Sequence, residues 1–416
     1  MFAKISVWFN IALCWLISGL SLFLPMGKWL SQGARTQELF NRYSITYTSD
    51  VPQKGEITYT VGSRKIAEAF YLEPAEEPTT FSSFIDGFLD GRLARYGSGC
   101  GIALSNVTEY EGGRFLFESL ELEWVKPPEN TRIELENALC RVGVDLRWGG
   151  ALDSFIWKAA PEGGYGNLLN RHDAGRLVQQ SYYGTSAPPY VMGFFMNTPW
   201  PYNPVQGGDL NGNCSKLVDY EQREGSIYIK CLPLEWGKDN VPSLSYMENT
   251  YTLEGGVLKV DNRFVDFSGY THDRRHQEMP AFYTVSALGT FSCYNGEAPW
   301  TNAPLKQDSN LPFWGEEGHP ECSTEFVPGN TETWCAWTAG AGPEAFGMGL
   351  FTPTAEVLLA GRHGTNVSTS PDDASTNYVA PLRLLLLESF VPLEYSYYIT
   401  AGSLAEIRET FASIAR

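Results

Sequence analysis

Two neighbouring segments of this chain carry side chains that could bind or transform a polyhydroxylated ligand. The segments span residues 170–184 and 200–209, and they combine carboxylates, amides, a guanidinium and aromatic rings in a stretch rich in Gly and Pro. An ordinary core has little use for this mixture, because every buried polar group needs a partner. A sugar would use all of it, since aromatic faces stack on C–H surfaces and polar groups bond hydroxyls. The segments therefore predict a carbohydrate cleft, with polar members His172, Asp173, Arg176, Gln179, Gln180, Gln206 and Asp209.

Asp173 and Arg176 are three residues apart, so they can pair with each other on a turn or a helix. One interpretation is a structural ion pair in a loop. The other is a guanidinium that holds a sugar hydroxyl or carboxylate, with Asp173 as acid, base or hydroxyl acceptor. The sequence leaves both interpretations open.

The densest group of titratable side chains lies at residues 272–278. His276 and Glu278 are two residues apart, so on a strand both would point to one face, as a general acid and base would. The alternative is a solvated loop in which arginines neutralise nearby acids. We take His276, Glu278 and Asp173 as the catalytic candidates. We predict no metal here, because Pro280 and the strand-like context argue against two histidine ligands on a helix.

Two tryptophans in loop-like sequence, Trp200 and Trp300, could stack on a sugar ring. Asp209 stands in a loop with alternating oxygen-bearing residues, but no following Glu completes a calcium-binding pattern. No phosphate loop, dinucleotide fingerprint or nucleophile elbow is present, so we predict no cofactor.

Composition limits the class of protein. The chain has 416 residues, enough for one large β core or two smaller ones. Aromatic residues are plentiful, and Gly and Pro are spread along the chain, which is typical of many short strands joined by turns. The net charge of -18 argues against a nucleic-acid partner, because phosphate binding needs clustered Lys and Arg.

Residues 5–27 form an almost unbroken apolar run between Lys4 and Lys28, close to the ~20 residues that cross a bilayer as a helix. Residues 1–28 are therefore either a cleaved signal peptide or an uncleaved signal anchor, and the anchor would be a membrane partner. In both cases we expect the bulk of the chain on the extracytoplasmic side, secreted or anchored.

An oxidising compartment would permit disulfides and N-glycans. Cys214 with Cys231 is one local bridge that the spacing allows, and a pair among Cys293, Cys322 and Cys335 is another. The pairing cannot be read from spacing alone. N-glycosylation sequons begin at Asn106, Asn213 and Asn366.

The sequence predicts a domain boundary near residues 126–130. There Lys-Pro-Pro-Glu-Asn interrupts the alternation of polar and apolar residues that is typical of strands. We expect a polar linker over residues 29–50 and an accessory β module over residues 51–130. A second region, residues 131–416, opens with a strand, a Gly-Gly turn and a strand over residues 141–157.

Further along the second region, residues 251–266 read as a hairpin in which Gly255 and Gly256 supply positive φ angles. The chain closes with a capping box over residues 403–406 and apolar residues at helical spacing, which predict a short C-terminal helix.

The order of these elements resembles the galactose-mutarotase-like supersandwich. Three segments carry the resemblance, namely residues 148–155, 250–266 and 276–282, and it covers roughly residues 131–400. It implies a supersandwich for that region, while the residues before 130 find no match in that fold. Together with a small N-terminal β-sandwich-like module and the short C-terminal helix, the sequence predicts a mainly β protein. Pro280-Ala281-Phe282 stands where aldose epimerases carry Phe-Asn-Leu after their histidine, so simple mutarotase activity is not expected.

Taken together, these features predict a carbohydrate-active protein of the secretory pathway. It would be a glycoside hydrolase or a polysaccharide lyase, and its binding partner would be a glycan. The alternative is a non-catalytic glycan-binding or cell-surface protein. A third hypothesis is an extracytoplasmic structural protein whose aromatic loops bind a protein. The glycan hypotheses require segments near residues 172, 206 and 276 to converge on one hollow.

Overall fold

The computed structural model of the chain describes residues 28–30, 39–106, 113–161, 165–184, 202–309, 311, 323–325 and 331–416. Most of these residues lie in strands, which confirms the mainly β prediction. The chain forms two compact units. The first comprises residues up to 85 and 92–125, and the second comprises residues 86–91 and 126–416.

The first unit is built from two antiparallel sheets. Among the described residues, β1, β8, β4, β7 and β2 follow one another in one sheet, with β5 also paired to β4, while β6, β3 and β9 form the other. The strands are β1 (Lys28–Leu30), β2 (Leu39–Phe40), β3 (Arg42–Ser49), β4 (Gln53–Val61), β5 (Arg64–Leu72), β6 (Ala75–Phe84), β7 (Ala94–Arg95), β8 (Gly101–Asn106) and β9 (Phe115–Glu123).

The linker predicted over residues 29–50 differs from the structure. Strand β3 fills its second half and lies between two neighbouring strands of its sheet. Tyr43 and Ile45 are fully buried there. The polar side chains of Arg42, Thr46 and Thr48, which suggested a solvated linker, occupy the partly exposed positions of this strand and alternate with buried ones.

The second unit contains the remaining strands and the single α-helix of the described residues. A three-stranded sheet is followed by two large antiparallel sheets, one of seven and one of nine described strands. The elements are β10 (Arg132–Glu136), β11 (Cys140–Asp145), β12 (Ala151–Trp157), β13 (Gln179–Ser181), β14 (Pro204–Val205), β15 (Lys216–Arg223), β16 (Ser226–Leu232), β17 (Leu234–Glu235), β18 (Ser245–Glu254), β19 (Val257–Asp266), β20 (Arg275–Val285), β21 (Thr290–Cys293), β22 (Lys306–Asp308), β23 (Ser323–Glu325), β24 (Trp334–Thr338), β25 (Phe346–Phe351), β26 (Val357–His363), β27 (Thr376–Leu385), β28 (Leu393–Ser403) and α1 (Leu404–Ala415).

The two large sheets contact each other through one face of each. The seven-stranded sheet runs β17-β14-β13-β20-β27-β26-β23, and the nine-stranded sheet runs β15-β16-β18-β19-β28-β25-β24-β21-β22. Tyr182 follows β13, and its ring lies 4.4 Å from the ring of Phe264 on the nine-stranded sheet. Phe282, Leu358 and Val379 are fully buried on the same side of the seven-stranded sheet. These contacts fix the core between the two sheets. On the opposite face of the seven-stranded sheet a second buried cluster forms, from Ala281, Val357, Tyr378, Ala380 and Leu382.

The predicted Gly-Gly turn between residues 141 and 157 is confirmed. A 3-10 turn, Leu146–Trp148, leads from β11 to Gly149 and Gly150, which have φ values of +60° and +71°. A Cβ on Gly149 would lie 2.2 Å from the carbonyl oxygen of Gln206, so no larger residue fits. The turn therefore needs glycine both for its backbone conformation and for space.

The predicted hairpin at residues 251–266 is also confirmed, as β18 and β19. Of its two turn glycines, Gly255 has the positive φ, +56°. Gly256 is required for a different reason, because a Cβ there would lie 2.7 Å from the Trp157 ring.

Helix α1 begins with the predicted capping box, in which the Ser403 hydroxyl accepts from the Glu406 amide and the Glu406 carboxylate accepts from the Ser403 amide. Leu404, Ile407 and Phe411 pack on Trp334 and other apolar residues of the nine-stranded sheet. The helix therefore covers the outer face of that sheet.

A buried ion pair ties α1 to the loop that precedes β24. Arg408 donates from Nε to Glu332 Oε2 at 2.9 Å and from a terminal nitrogen to Oε1 at 2.5 Å. The Trp334 indole and the Trp300 backbone amide donate to the same carboxylate, both at 2.7 Å. Four bonds thus satisfy a carboxylate with no exposed surface.

The disulfides that the sequence allows are not present among the described cysteines. Cys214, Cys231, Cys293 and Cys335 carry free thiols there, as do two further described cysteines, Cys100 and Cys140. The apolar run of residues 5–27 and Cys322 lie outside the described residues. No helix within those residues is long and apolar enough to cross a membrane.

Candidate active site

The second face of the seven-stranded sheet carries a buried carboxyl group. Glu278 lies on β20, opposite Ser181 of β13 on one side and Leu382 of β27 on the other. Its side chain accepts a hydrogen bond from the Tyr378 hydroxyl, and Ser181 and Tyr183 also bond it. Burial raises the pKa of Glu278 above its usual range, although these three bonds act in the opposite direction.

Tyrosine rings surround this carboxyl. Tyr283 and Tyr378 face each other in register across β20 and β27, with ring centroids 4.8 Å apart. Strand alternation puts both rings on the face that carries Glu278, since Phe282 and Val379 point into the core. We refer to this surface, defined by Glu278, Tyr283 and Tyr378, as the tyrosine-lined face.

The loop before β13 brings Asp173 and Arg176 to the edge of the tyrosine-lined face. The Asp173 carboxylate caps the 3-10 turn Ala174–Arg176 by accepting from the Gly175 amide at 3.0 Å. Arg176 Nε lies 3.4 Å from Asp173, and its guanidinium also donates to the Ala374 carbonyl. The predicted pairing within this segment is present, and Asp173 keeps an exposed side chain.

Electrostatic effects link this loop to the tyrosine-lined face. Burial raises the pKa of Tyr283, and the charges of Glu278 and Asp173 raise it further. His363, half-buried at the end of β26, has its pKa lowered by burial and by the Arg176 charge. Asp173 and Glu278 therefore act on one neighbourhood, which is what two cooperating carboxyl groups require.

His172 and Arg171 anchor the same loop to residues near 372. Arg171 Nε donates to Asp372 Oδ1 at 2.9 Å, and His172 Nδ1 lies 2.9 Å from the Asp372 carbonyl oxygen. The Arg171 hydrogen bond lowers the pKa of Asp372. His172, predicted as a substrate-binding residue, remains exposed beside Asp173.

The three glutamines predicted to bind hydroxyls are instead buried and bonded within the protein. Gln179 donates to the Ala174 carbonyl at 2.7 Å and accepts from the Gly207 amide at 2.7 Å. Gln180 donates to the Glu248 carbonyl at 2.9 Å and accepts from the Tyr182 hydroxyl. Gln206 donates to the Gly149 carbonyl at 3.0 Å. These amides hold strands and turns together, because a buried amide in a β core must find backbone partners.

Asp209 is likewise a structural residue. It is 1% exposed, and its carboxylate accepts from the backbone amides of Asn211, Asn213 and Asn240 at 2.7–3.0 Å. The Asn213 side-chain amide donates to it as well, at 2.8 Å. These four bonds use the oxygen atoms that a sugar hydroxyl would need.

The two predicted stacking tryptophans do not join the tyrosine-lined face in the described structure. Trp300 packs against the helix-covered face of the nine-stranded sheet, with its ring 6.1 Å from that of Phe351. It adopts a φ of +61° and donates its backbone amide to Glu332. Trp200 lies outside the described residues.

His276 and Glu278 share a strand but not an environment. His276 is exposed near the start of β20, opposite Leu384, whereas Glu278 is 9% exposed. Both residues pair with β27, but only Glu278 also has a partner on β13, so the two-residue spacing joins an exposed position to an enclosed one. The segments near residues 172, 206 and 276 were predicted to converge on one hollow. Gln206 instead belongs to the core and His276 is exposed, while the charges of Asp173 and Glu278 both act on Tyr283.

A second histidine of the titratable segment is enclosed. His272 stacks on Tyr202 with ring centroids 4.8 Å apart, and its Nε2 lies 3.8 Å from Asp266 Oδ2. Burial raises the pKa of Asp266, but the neighbouring His272 and hydrogen bonds from Ser389 and Ser268 outweigh it and hold that pKa below its usual value. With no exposed side-chain surface, His272 has a structural position.

Sequence reasoning missed Tyr283, Tyr378 and His363. Each sits at an alternating position of a strand whose other face is apolar core, and this pattern was the available signal. Within the described residues, no group of three His, Cys, Asp or Glu side chains is arranged to hold a metal ion.

The chain is similar in fold to galactose-mutarotase-like proteins. A galactose mutarotase related enzyme from Lactobacillus acidophilus matches 66% of this chain and 98% of its own, at 12% identity and a TM-score of 0.40. A galactose mutarotase-like protein from Lactobacillus casei matches 65% of this chain and 100% of its own, at 12% identity and a TM-score of 0.37.

A GH36 alpha-galactosidase from Geobacillus stearothermophilus matches 66% of this chain and 40% of its own, at 12% identity and a TM-score of 0.38. No protein-family profile matches the sequence, and no curated protein matches it significantly. Similarity at this level concerns the fold, so activity has to be argued from the residues of this chain.

Proposed function

We propose that this protein binds a glycan over the tyrosine-lined face and that Glu278 exchanges a proton with it. The observation that carries the proposal is the buried Glu278 carboxyl, whose pKa is raised and which is surrounded by tyrosines. A carboxyl group with a raised pKa can serve as a general acid or base near neutral pH. Tyrosine rings supply the flat apolar surface on which a pyranose stacks.

Asp173 is the second carboxyl group of the proposed site. Its side chain is 47% exposed, and its charge acts on Tyr283 together with that of Glu278. One buried carboxyl group and one solvent-exposed carboxyl group is an arrangement that glycoside hydrolases use for their two catalytic acids.

Charge favours hydrolysis of a neutral glycan over lyase chemistry on a uronate. A lyase must neutralise the substrate carboxylate. Arg176, the guanidinium at this edge, already pairs with Asp173 and donates to the Ala374 carbonyl. The overall charge of -18 also disfavours an anionic polymer.

The test is a screen of the purified full-length chain against a broad panel of neutral and acidic polysaccharides. Release of reducing ends reports hydrolysis, and absorbance of unsaturated products reports lyase activity. On the active substrate we expect E278Q to lower kcat by about 10²- to 10⁴-fold while binding persists. The control is E254Q, at an exposed hairpin position of the nine-stranded sheet. Full activity of E278Q would overturn the assignment.

A non-catalytic glycan-binding role is the second candidate. It is favoured by the separation of the predicted acid–base pair, with His276 in solvent and Glu278 inside. In that case the same panel yields binding without turnover. Y283A would then weaken binding, since it removes a ring from the tyrosine-lined face.

We also propose that the chain acts on the extracytoplasmic side, because residues 5–27 form an uncharged apolar run with lysines at both ends. Intact cells treated with a protease should lose the folded chain if it is anchored outside, or the culture medium should contain it if it is secreted. Full protection of the chain in intact cells, with none in the medium, would contradict this proposal.

A further inference from the structure

A polar cavity of about 310 Å³ lies in the second unit, beside the loop that carries Asp173. It is bordered by β10 and by the turn between β11 and β12, and Asp372 lies across it. Ligand sites span roughly 300–1,000 Å³, so this volume suits one small ligand or one residue of a polymer.

Two ion pairs form the charged part of the lining. Arg132 Nε donates to both oxygen atoms of Asp153 at 3.0 Å, and the Asp153 side chain is only 2% exposed. Arg171 pairs with Asp372 through hydrogen bonds of 2.9 and 3.4 Å. Because the charges within each of these two pairs compensate each other, the pairs offer fixed donors and acceptors to a ligand.

An aromatic ring completes the lining. Trp148 is half-buried at the end of the 3-10 turn, directly before Gly149. Asp145 also lines the cavity and caps the same turn by accepting from the Arg147 amide at 2.9 Å. Trp148 is therefore held by a capped turn and by two glycines that admit no larger residue, which gives its ring a fixed position.

We propose that this cavity is a saccharide subsite that holds a neutral sugar unit of the same glycan. The inference rests on the proposed function. An indole with fixed carboxylates and guanidiniums is what a hydroxyl-rich ring requires. Four aspartates and two arginines line the cavity, so a uronate or phosphorylated sugar would be repelled.

Asp173 connects the cavity to the tyrosine-lined face. It lines the cavity, and its charge also acts on Tyr283 beside Glu278. A glycan of several units can therefore contact both places, with Asp173 between them. Short ligands that occupy only the Glu278 end would not reach Trp148.

The test compares variants in the E278Q background, in which the glycan survives. Cello-, malto-, manno- and galacto-oligosaccharides of increasing length, and the free monosaccharides, are the probes, and calorimetry gives the affinities. We expect W148A to weaken binding of the longer members by roughly three- to tenfold and to leave the shortest bound members unchanged. W148F, which keeps a ring, should recover part of the loss.

R171Q is the second variant, because it removes a guanidinium from the lining and breaks only an ion pair with a largely exposed carboxylate, which contributes little to stability. It should also weaken binding of the longer members only. The control is W124A, since Trp124 is 60% exposed and belongs to the first unit.

If W148A and R171Q bind every probe as tightly as the E278Q parent does, or lose the same affinity at every length, the subsite is overturned. Loss of turnover in E278Q would leave the proposed function standing. If wild-type protein neither binds nor converts any probe or polysaccharide of the panel, the proposed function fails and the subsite fails with it.

Discussion

Glu278 and Tyr378 are 100 residues apart in the sequence, and the hydroxyl of Tyr378 donates a hydrogen bond to the carboxylate of Glu278. They come from adjacent antiparallel strands, β20 and β27, whose register is irregular between Glu278 and Phe282. The pair sets the protonation of the proposed catalytic group, because hydrogen bonds to an ionised carboxylate lower its pKa while burial raises it.

Replacing Tyr378 tests this relationship. Y378F removes the hydroxyl but keeps the ring, so the pKa of Glu278 should rise further. The limb of the pH–rate profile that belongs to Glu278 should move to higher pH, whether the group acts as acid or as base. Y246F, on the nine-stranded sheet, should leave the profile in place. An unchanged limb in Y378F would show that Glu278 does not titrate in the reaction.

Protonation of Glu278 also predicts a pH-dependent stability. The pKa is raised in the folded state, so between the unfolded value, about 4.5, and the folded value the native protein binds more protons. This contribution to stability is present in acid and is lost as pH rises through the folded pKa. The free energy of unfolding of E278Q minus that of wild type should therefore increase with pH. Urea titrations at several pH values measure it, and a pH-independent difference would refute the buried ionisation.

The buried pair of Glu332 and Arg408 predicts a large stability change. E332Q or R408M leaves one buried charge without its partner and should cost about 3–5 kcal/mol of unfolding free energy. Urea unfolding of the second unit is the measurement. E409Q, at an exposed position of the same helix, should cost little. A loss below about 1 kcal/mol in both variants would contradict a structural role for this pair.

A comparison of Gly149 with Gly225 distinguishes two reasons why a position requires glycine, namely a positive φ and a lack of space for a Cβ atom. Both have positive φ, +60° and +73°, but only Gly149 would place a Cβ against other atoms. G225A should cost about 1–2 kcal/mol from backbone strain alone. G149A should cost clearly more, because its Cβ would overlap the Gln206 carbonyl. Equal costs by urea unfolding would mean that the turn between β11 and β12 relaxes freely.

Local signals in the sequence were sufficient for much of the fold. The capping box at Ser403 and the paired glycines at 149–150 and 255–256 each act within a few residues, so their structures follow from local chemistry. The linker prediction failed because the polar positions of β3 alternate with buried ones, a pattern that depends on strands far along the chain.

The site was only partly predictable for the same reason. A glutamine in a polar segment can bind a sugar or donate to a distant backbone carbonyl. Gln180 donates to the carbonyl of Glu248, 68 residues away. The register of β20 against β27 places Tyr283 opposite Tyr378, and composition does not specify that register. Residue type was enough to predict Asp173 and Glu278 as candidate site residues. That both charges act on Tyr283 depends on tertiary contacts.

The most direct test of the central claim is a crystal structure of E278Q with an oligosaccharide from the panel that the wild-type protein converts or binds. We expect a sugar ring against Tyr283, with one of its oxygen atoms within hydrogen-bond distance of the side chain at position 278. A glycan bound elsewhere on the molecule, with the tyrosine-lined face left free, would contradict it.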